Sequence, residues 1–189
     1  MRTLARGQKG SQTIEFAAAL TLLVTFILIP WIDISVILMR WMMAHEMISA
    51  SSRELAFCET FGQSCKNLQA QPALKNRLTA IGGVDVQSMD LQLRIARVRR
   101  TSDVNSEEVF LVTNPGQIPP AWLPDGAKAP CTYSLLLKVN FLMSPAWLLS
   151  GVSCSIPGLT VPVPLSITIL HEWENLGKNP ISGRFFVNE

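Results

Sequence analysis

Residues 16–39 read FAAALTLLVTFILIPWIDISVILM, and the fold turns on how that run is read. It holds one ionisable side chain, Asp33, and one proline, Pro30, and no Lys or Arg occurs between Lys9 and Arg40. As a helix rising ~1.5 Å per residue, its 24 residues reach about 36 Å, more than the ~30 Å hydrocarbon core of a bilayer. The run predicts a transmembrane helix. Upstream, MRTLARGQKG (residues 1–10) is polar and carries three cations, Arg2, Arg6 and Lys9. By the positive-inside rule these hold the N-terminus in the cytoplasm and send the rest of the chain outward. A removable secretory signal cut after Ala50 is the competing reading, but its apolar core would be only ~7 to 15 residues.

Composition agrees with one membrane segment plus one modest domain in a chain of 189 residues. Apolar residues make up 48% and charged residues 16%, below the roughly 25% of an average soluble protein. The formal charge of +2 becomes −1 once the three leader cations are set aside, which excludes a basic nucleic-acid-binding domain. Four cysteines, Cys58, Cys65, Cys131 and Cys154, follow the apolar run, an even number that suits an oxidising compartment. Pairing of near neighbours, one of three possible connectivities, predicts Cys58–Cys65 and Cys131–Cys154 bridges.

Beyond the span, Ile34, Leu38, Trp41, Ala44, Ile48 and Leu55 recur at mostly helical steps, so the helix is expected to continue as an amphipathic rod to near Phe57. A short second helix is expected from Pro72 to Ile81, ended by Gly82-Gly83. After it the period drops to two. Met89, Leu91, Leu93 and Ile95 form one alternating set, Leu135 to Met143 a second, and Val161 to Ile169 a third whose outer prolines suit an edge strand. Glu108–Thr113 reads as a short fourth strand. The predicted class is α+β: a long N-terminal transmembrane helix extending out of the membrane, a short second helix and a small antiparallel sheet of three to four strands. The predicted divisions are 1–10, 11–57 and 58–189.

The ionisable residues offer little catalytic pattern. His45 and His171 do not form a zinc-protease pair, no C-x-x-C or glycine-rich phosphate loop occurs, and no metal, cofactor or small-molecule substrate is expected. Arg94, Arg97, Arg99 and Arg100 form the one basic cluster outside the leader. Because Arg97 and Arg99 continue the face of Leu93 and Ile95, that strand is expected to leave the core by residue 97, its charge balanced by Asp103, Glu107 and Glu108 or by an acidic partner. Trp122 and Trp147 are expected to anchor the two proline-bearing loops.

The junction Lys9-Gly10-Ser11-Gln12-Thr13-Ile14-Glu15-Phe16 is more informative. A carboxylate at the mouth of an apolar helix is costly to bury, ~2.5 to 3.5 kcal/mol at mid-membrane, and so calls for a partner. A cut between Gly10 and Ser11 would create an α-amino group one helical turn from Glu15, in the same subunit or a neighbour. The other reading leaves Glu15 in the headgroup region beside Lys9 or a lipid.

This arrangement resembles a prepilin of the type IV class, and the spacing Gly10, four residues, Glu15-Phe16-Ala17 is most similar to the TadE and TadF pilin-like proteins of tight-adherence (Flp) pilus systems. The resemblance covers roughly residues 1 to 40. It implies a pilin-like fold, cleavage of the Gly10–Ser11 bond by a prepilin peptidase, assembly through Glu15 and Phe16, and residence in a bacterial inner membrane with the C-terminal domain periplasmic. It also implies partners: the peptidase, other major and minor pilins, the inner-membrane pilus assembly platform and membrane lipid. A type II secretion pseudopilin, a membrane-anchored binding or sensor protein with an uncleaved N-terminus, and a tethered enzyme with an unrecognised site are the alternatives.

Overall fold

A computed structural model describes residues 6–70, 72–101, 104–126, 130–146, 156–158 and 160–189. The chain is α+β, with one long apolar N-terminal helix, shorter helices and a four-stranded antiparallel sheet. The long helix runs as α1 (Arg6–Leu23), a π-helical turn (Val24–Leu28) and α2 (Ile29–Ala56). Pro30 explains the interruption. Proline lacks an N–H and its ring collides with the carbonyl four residues back, so the chain takes a wider turn there, in which Ile29 N–H reaches Val24 O.

Two compact units divide the chain, Met1–Trp41 with Met143–Val163, and Met42–Leu142 with Pro164–Glu189. The second holds α3 (Phe61–Ala70), α4 (Pro72–Ala80), β1 (Val84–Thr101), β2 (Val104–Val112) and most of β3 (Cys131–Met143) and β4 (Val163–Glu172), ordered β2-β1-β3-β4. Its core is the predicted alternation: Leu91, Leu93 and Ile95 of β1, every second residue of β3 from Tyr133 to Phe141, and Ile167 and Ile169 of β4 are buried. Ala44, Ile48 and Leu55 of α2, Phe61, Leu74, Leu78 and Trp173 are buried too. β4 is a sheet edge, as its prolines predicted, but it starts at Val163 rather than Val161, so Pro162 precedes it and only Pro164 lies within it.

Among the described residues the buried face of β1 ends at Ala96, as expected, but the strand itself goes on. It continues to Thr101 against β2, with Leu93 opposite Val112 and Thr101 opposite Val104. Arg97 is accommodated because its guanidinium lies 4.1 Å over the Trp122 ring and pairs with Glu108.

The sequence pattern also missed α3. Its start carries a Thr60-x-x-Gln63 signature, and Gln63 N–H donates to Thr60 Oγ1 at 3.1 Å. Ser64 Oγ then donates to Leu55 O at 2.8 Å, tying α3 to the end of α2. Thr60→Ala should therefore cost about 1 kcal/mol, read as a lower urea midpoint with an unchanged slope. An unchanged midpoint would show that the cap contributes nothing.

Candidate functional site

Gly10, Ser11, Glu15 and Phe16 all fall on α1, which extends back to Arg6 rather than starting after Gly10. Ser11 and Glu15 are thus one turn apart on a continuous helix. Glu15 is exposed between Ile14 and Phe16, which are 72% and 70% exposed. The surrounding surface is bare: every residue from Gln12 to Leu28 is exposed. The most apolar stretch of the helix has a mean hydropathy of 2.4 with only 6% of it buried, so this one helix is long and apolar enough to cross a membrane. A core helix of a water-soluble domain with this composition would be mostly covered.

The outer part of the first unit is different. Asp33, fully buried, accepts the Ala146 N–H at 3.0 Å on Oδ1, and Arg40 donates to Ser144 O. Gly158, with φ +87°, brings the backbone so close that a Cβ there would lie 3.3 Å from Ile37 Cδ1. Sequence reading gave Asp33 no role, because its partner is 113 positions away.

The expected Cys58–Cys65 bridge is not formed. Cys58 Sγ donates to Glu54 O, one turn back along α2, and accepts from Asn67 Nδ2 at 3.3 Å, while Cys65 lines a different hollow. α3, missing from the sequence reading, turns the two thiols onto different surfaces. Burial pushes the Cys65 thiol up. Burial also raises Cys131, against the lowering effects of Arg97 and of its hydrogen bond with Tyr133. Raised thiols stay protonated at neutral pH, the wrong state for a nucleophile. Cys154 and Trp147 lie outside the described residues.

In the second unit, a cleft of about 560 Å³ lies between α3 and β1, lined by Cys65, Leu68, Lys75, Asp90, Gln92 and Asn114 among others. His171 and Arg53 line a smaller hollow of about 320 Å³ with Glu172 and Glu174. No group of three or more His, Cys, Asp or Glu suited to a metal occurs among the described residues. The basic cluster is partly neutralised within the protein, because Arg94 pairs with Glu107 at 2.6 Å as Arg97 does with Glu108. The Arg99 and Arg100 side chains fall outside the described residues. Trp122 is an anchor: it stacks on Phe110 at 5.5 Å and its carbonyl accepts the Tyr133 hydroxyl at 2.7 Å. Comparison of the chain with protein-family models, with curated proteins and with solved structures found no match.

Proposed function

We propose that this chain is a minor pilin or pseudopilin that takes part in assembling a tight-adherence pilus after a prepilin peptidase cuts between Gly10 and Ser11. The observation that carries the reading is the conjunction at the helix start: Gly10, then Glu15-Phe16, then a long apolar surface with no protein covering it. A single helix of this kind reaches a low-energy state in lipid or against other helices like itself. Lateral association would place Glu15 against the new Ser11 amine of a neighbouring subunit, neutralising both in a medium where unpaired charges are costly. The emergent part of α2 and the sheet would stand on the periplasmic side, available to other pilins and to the assembly platform.

The test is N-terminal sequencing of the membrane-extracted protein. A mature chain starting at Ser11 supports the reading. A start at Met1 favours an anchored binding or sensor protein, for which the 560 Å³ cleft is the natural binding surface. A start at Ser51 favours a secreted form.

Glu15→Gln separates insertion from assembly. Removing a charge makes entry into the bilayer easier, whereas the partner amine loses its counter-charge. Membrane insertion and the fold of the sheet should be unchanged, and association with other pilins should weaken by about 1.5–3 kcal/mol, the range for a hydrogen bond to a charged group. In-membrane crosslinking measures this. Equal crosslinking of mutant and wild type would remove Glu15 from the contact.

A further inference from the structure

Residues 143–163, MSPAWLLSGVSCSIPGLTVPV, contain no Asp, Glu, Lys, Arg or His, an unusual stretch in a chain that is 16% charged. Its described parts, Met143–Ala146 and residues 156–158 and 160–163, belong to the same unit as the apolar helix. Five of their backbone donors are satisfied internally. Ala146 N–H goes to Asp33, Ile156 N–H to Thr160 Oγ1, Gly158 N–H to Val161 O, and the Thr160 and Val161 N–H groups to Ile156 O. Pro145, Pro157 and Pro162 have no N–H to satisfy. Ser144 O accepts from Arg40.

A loop in water has no need of this economy. A non-helical segment at membrane depth does, because hydrocarbon offers no hydrogen bonds and irregular backbone is tolerated there only when protein satisfies it. The helix gives the depth. Counting from Phe16, a ~30 Å core at ~1.5 Å per residue ends about twenty residues on, near Val36. Asp33 then lies just inside the core and Arg40 just beyond it, where a long cation can hold a carbonyl at the headgroup level. Around them Trp31, Ile34, Leu38 and Met39 stay 56–73% exposed, and Ile156 is 42% exposed.

We infer that the segments Ser144–Ala146, Ile156–Gly158 and Thr160–Val161 are a lipid-seated insert, the first held by Asp33 and Arg40 and the second packed at Gly158 beside Ile37, dipping into the outer leaflet of the bilayer. Asp33 is the positioning residue: it is the acceptor that lets the Ala146 N–H leave water. The inference rests on the helix spanning a membrane, and the test separates the two.

The unmodified full chain is reconstituted in phosphatidylethanolamine and phosphatidylglycerol vesicles containing a phospholipid with a photoactivated carbene source near its ester groups. Adducts are then mapped by mass spectrometry. Adducts on 16–39 and on 156–163, with none on the exposed 177–189 stretch, are the expected result, and Asp33→Ala should lose the 156–163 adducts while keeping those on 16–32. Adducts confined to 16–39 overturn the insert and leave the span standing. Absence from both segments overturns the span as well. Labelling of 177–189 as strong as that of 156–163 also overturns the insert, because the adducts then do not mark lipid contact.

Discussion

Gly10→Val should leave the protein as a full-length, membrane-inserted precursor, while on the proposed function the wild type should lose residues 1–10. The reason lies in local backbone energetics. α1 runs through the Gly10–Ser11 bond, so a peptidase that needs extended backbone there must first unwind it. Glycine disfavours helix by about 1 kcal/mol relative to alanine, and Gly7 stands one turn before Gly10, so this stretch is the cheapest part of α1 to open. Without a Cβ, Gly10 also lets a protease approach its backbone closely, which a β-branched valine blocks. Insertion depends on the apolar run and the basic leader, which the substitution does not touch. Intact mass distinguishes the forms, because ten residues at the chain's mean residue mass amount to about 1.1 kDa. A valine variant cut as completely as wild type would show that Gly10 does not define the site.

Trp173→Ala should destabilise the sheet unit by about 3–5 kcal/mol, the cost of emptying a large aromatic site in a packed core. Trp173 is 1% exposed; its backbone N–H donates to Tyr133 O and its Nε1–H to Asn175 O, both at 2.9 Å. The substitution leaves the Asn175 carbonyl without that donor as well as leaving a void. For a domain whose total stability is ~5–15 kcal/mol this is a large share. Trp173→Phe keeps most of the volume and should cost far less. Pulse proteolysis in urea, with cleavage followed in the sheet unit rather than the membrane helix, measures both. A midpoint for Trp173→Ala equal to wild type would mean that the site collapses without cost.

What sequence reading reached was whatever is periodic. Alternation in Leu91 to Ile95, in Leu135 to Met143 and in Val163 to Ile169 is imposed by a half-buried sheet, and it needs no knowledge of which strand lies beside which. The unbroken apolar run was legible for the same reason. What escaped depended on partners distant in the chain. Arg97 marks the end of the buried face, as its charge suggests, but that the strand runs on past it is not legible until Trp122 and Glu108 are brought beside it. Asp33 looks like a defect in a membrane helix until Ala146 meets it. α3 was a different kind of miss: its capping signature was visible in Thr60 and Gln63, but its few apolar residues give the stripe little weight, and without it Cys58 and Cys65 seemed free to join.

The π turn before Pro30 changes what the helix presents around its circumference. Glu15 and Asp33 are eighteen positions apart, which at ~3.6 residues per turn is five whole turns, so an uninterrupted α-helix would stack both carboxylates on one side. The wide turn absorbs one extra residue and moves them apart by roughly a quarter of a revolution. The two carboxylates therefore point to different sides of the helix, the second of them toward the Ala146 N–H of its own chain. A chain shortened by one residue within Val24–Leu28 would reach the same azimuth as a plain α-helix, so this is where the span tolerates a deletion without misdirecting either group.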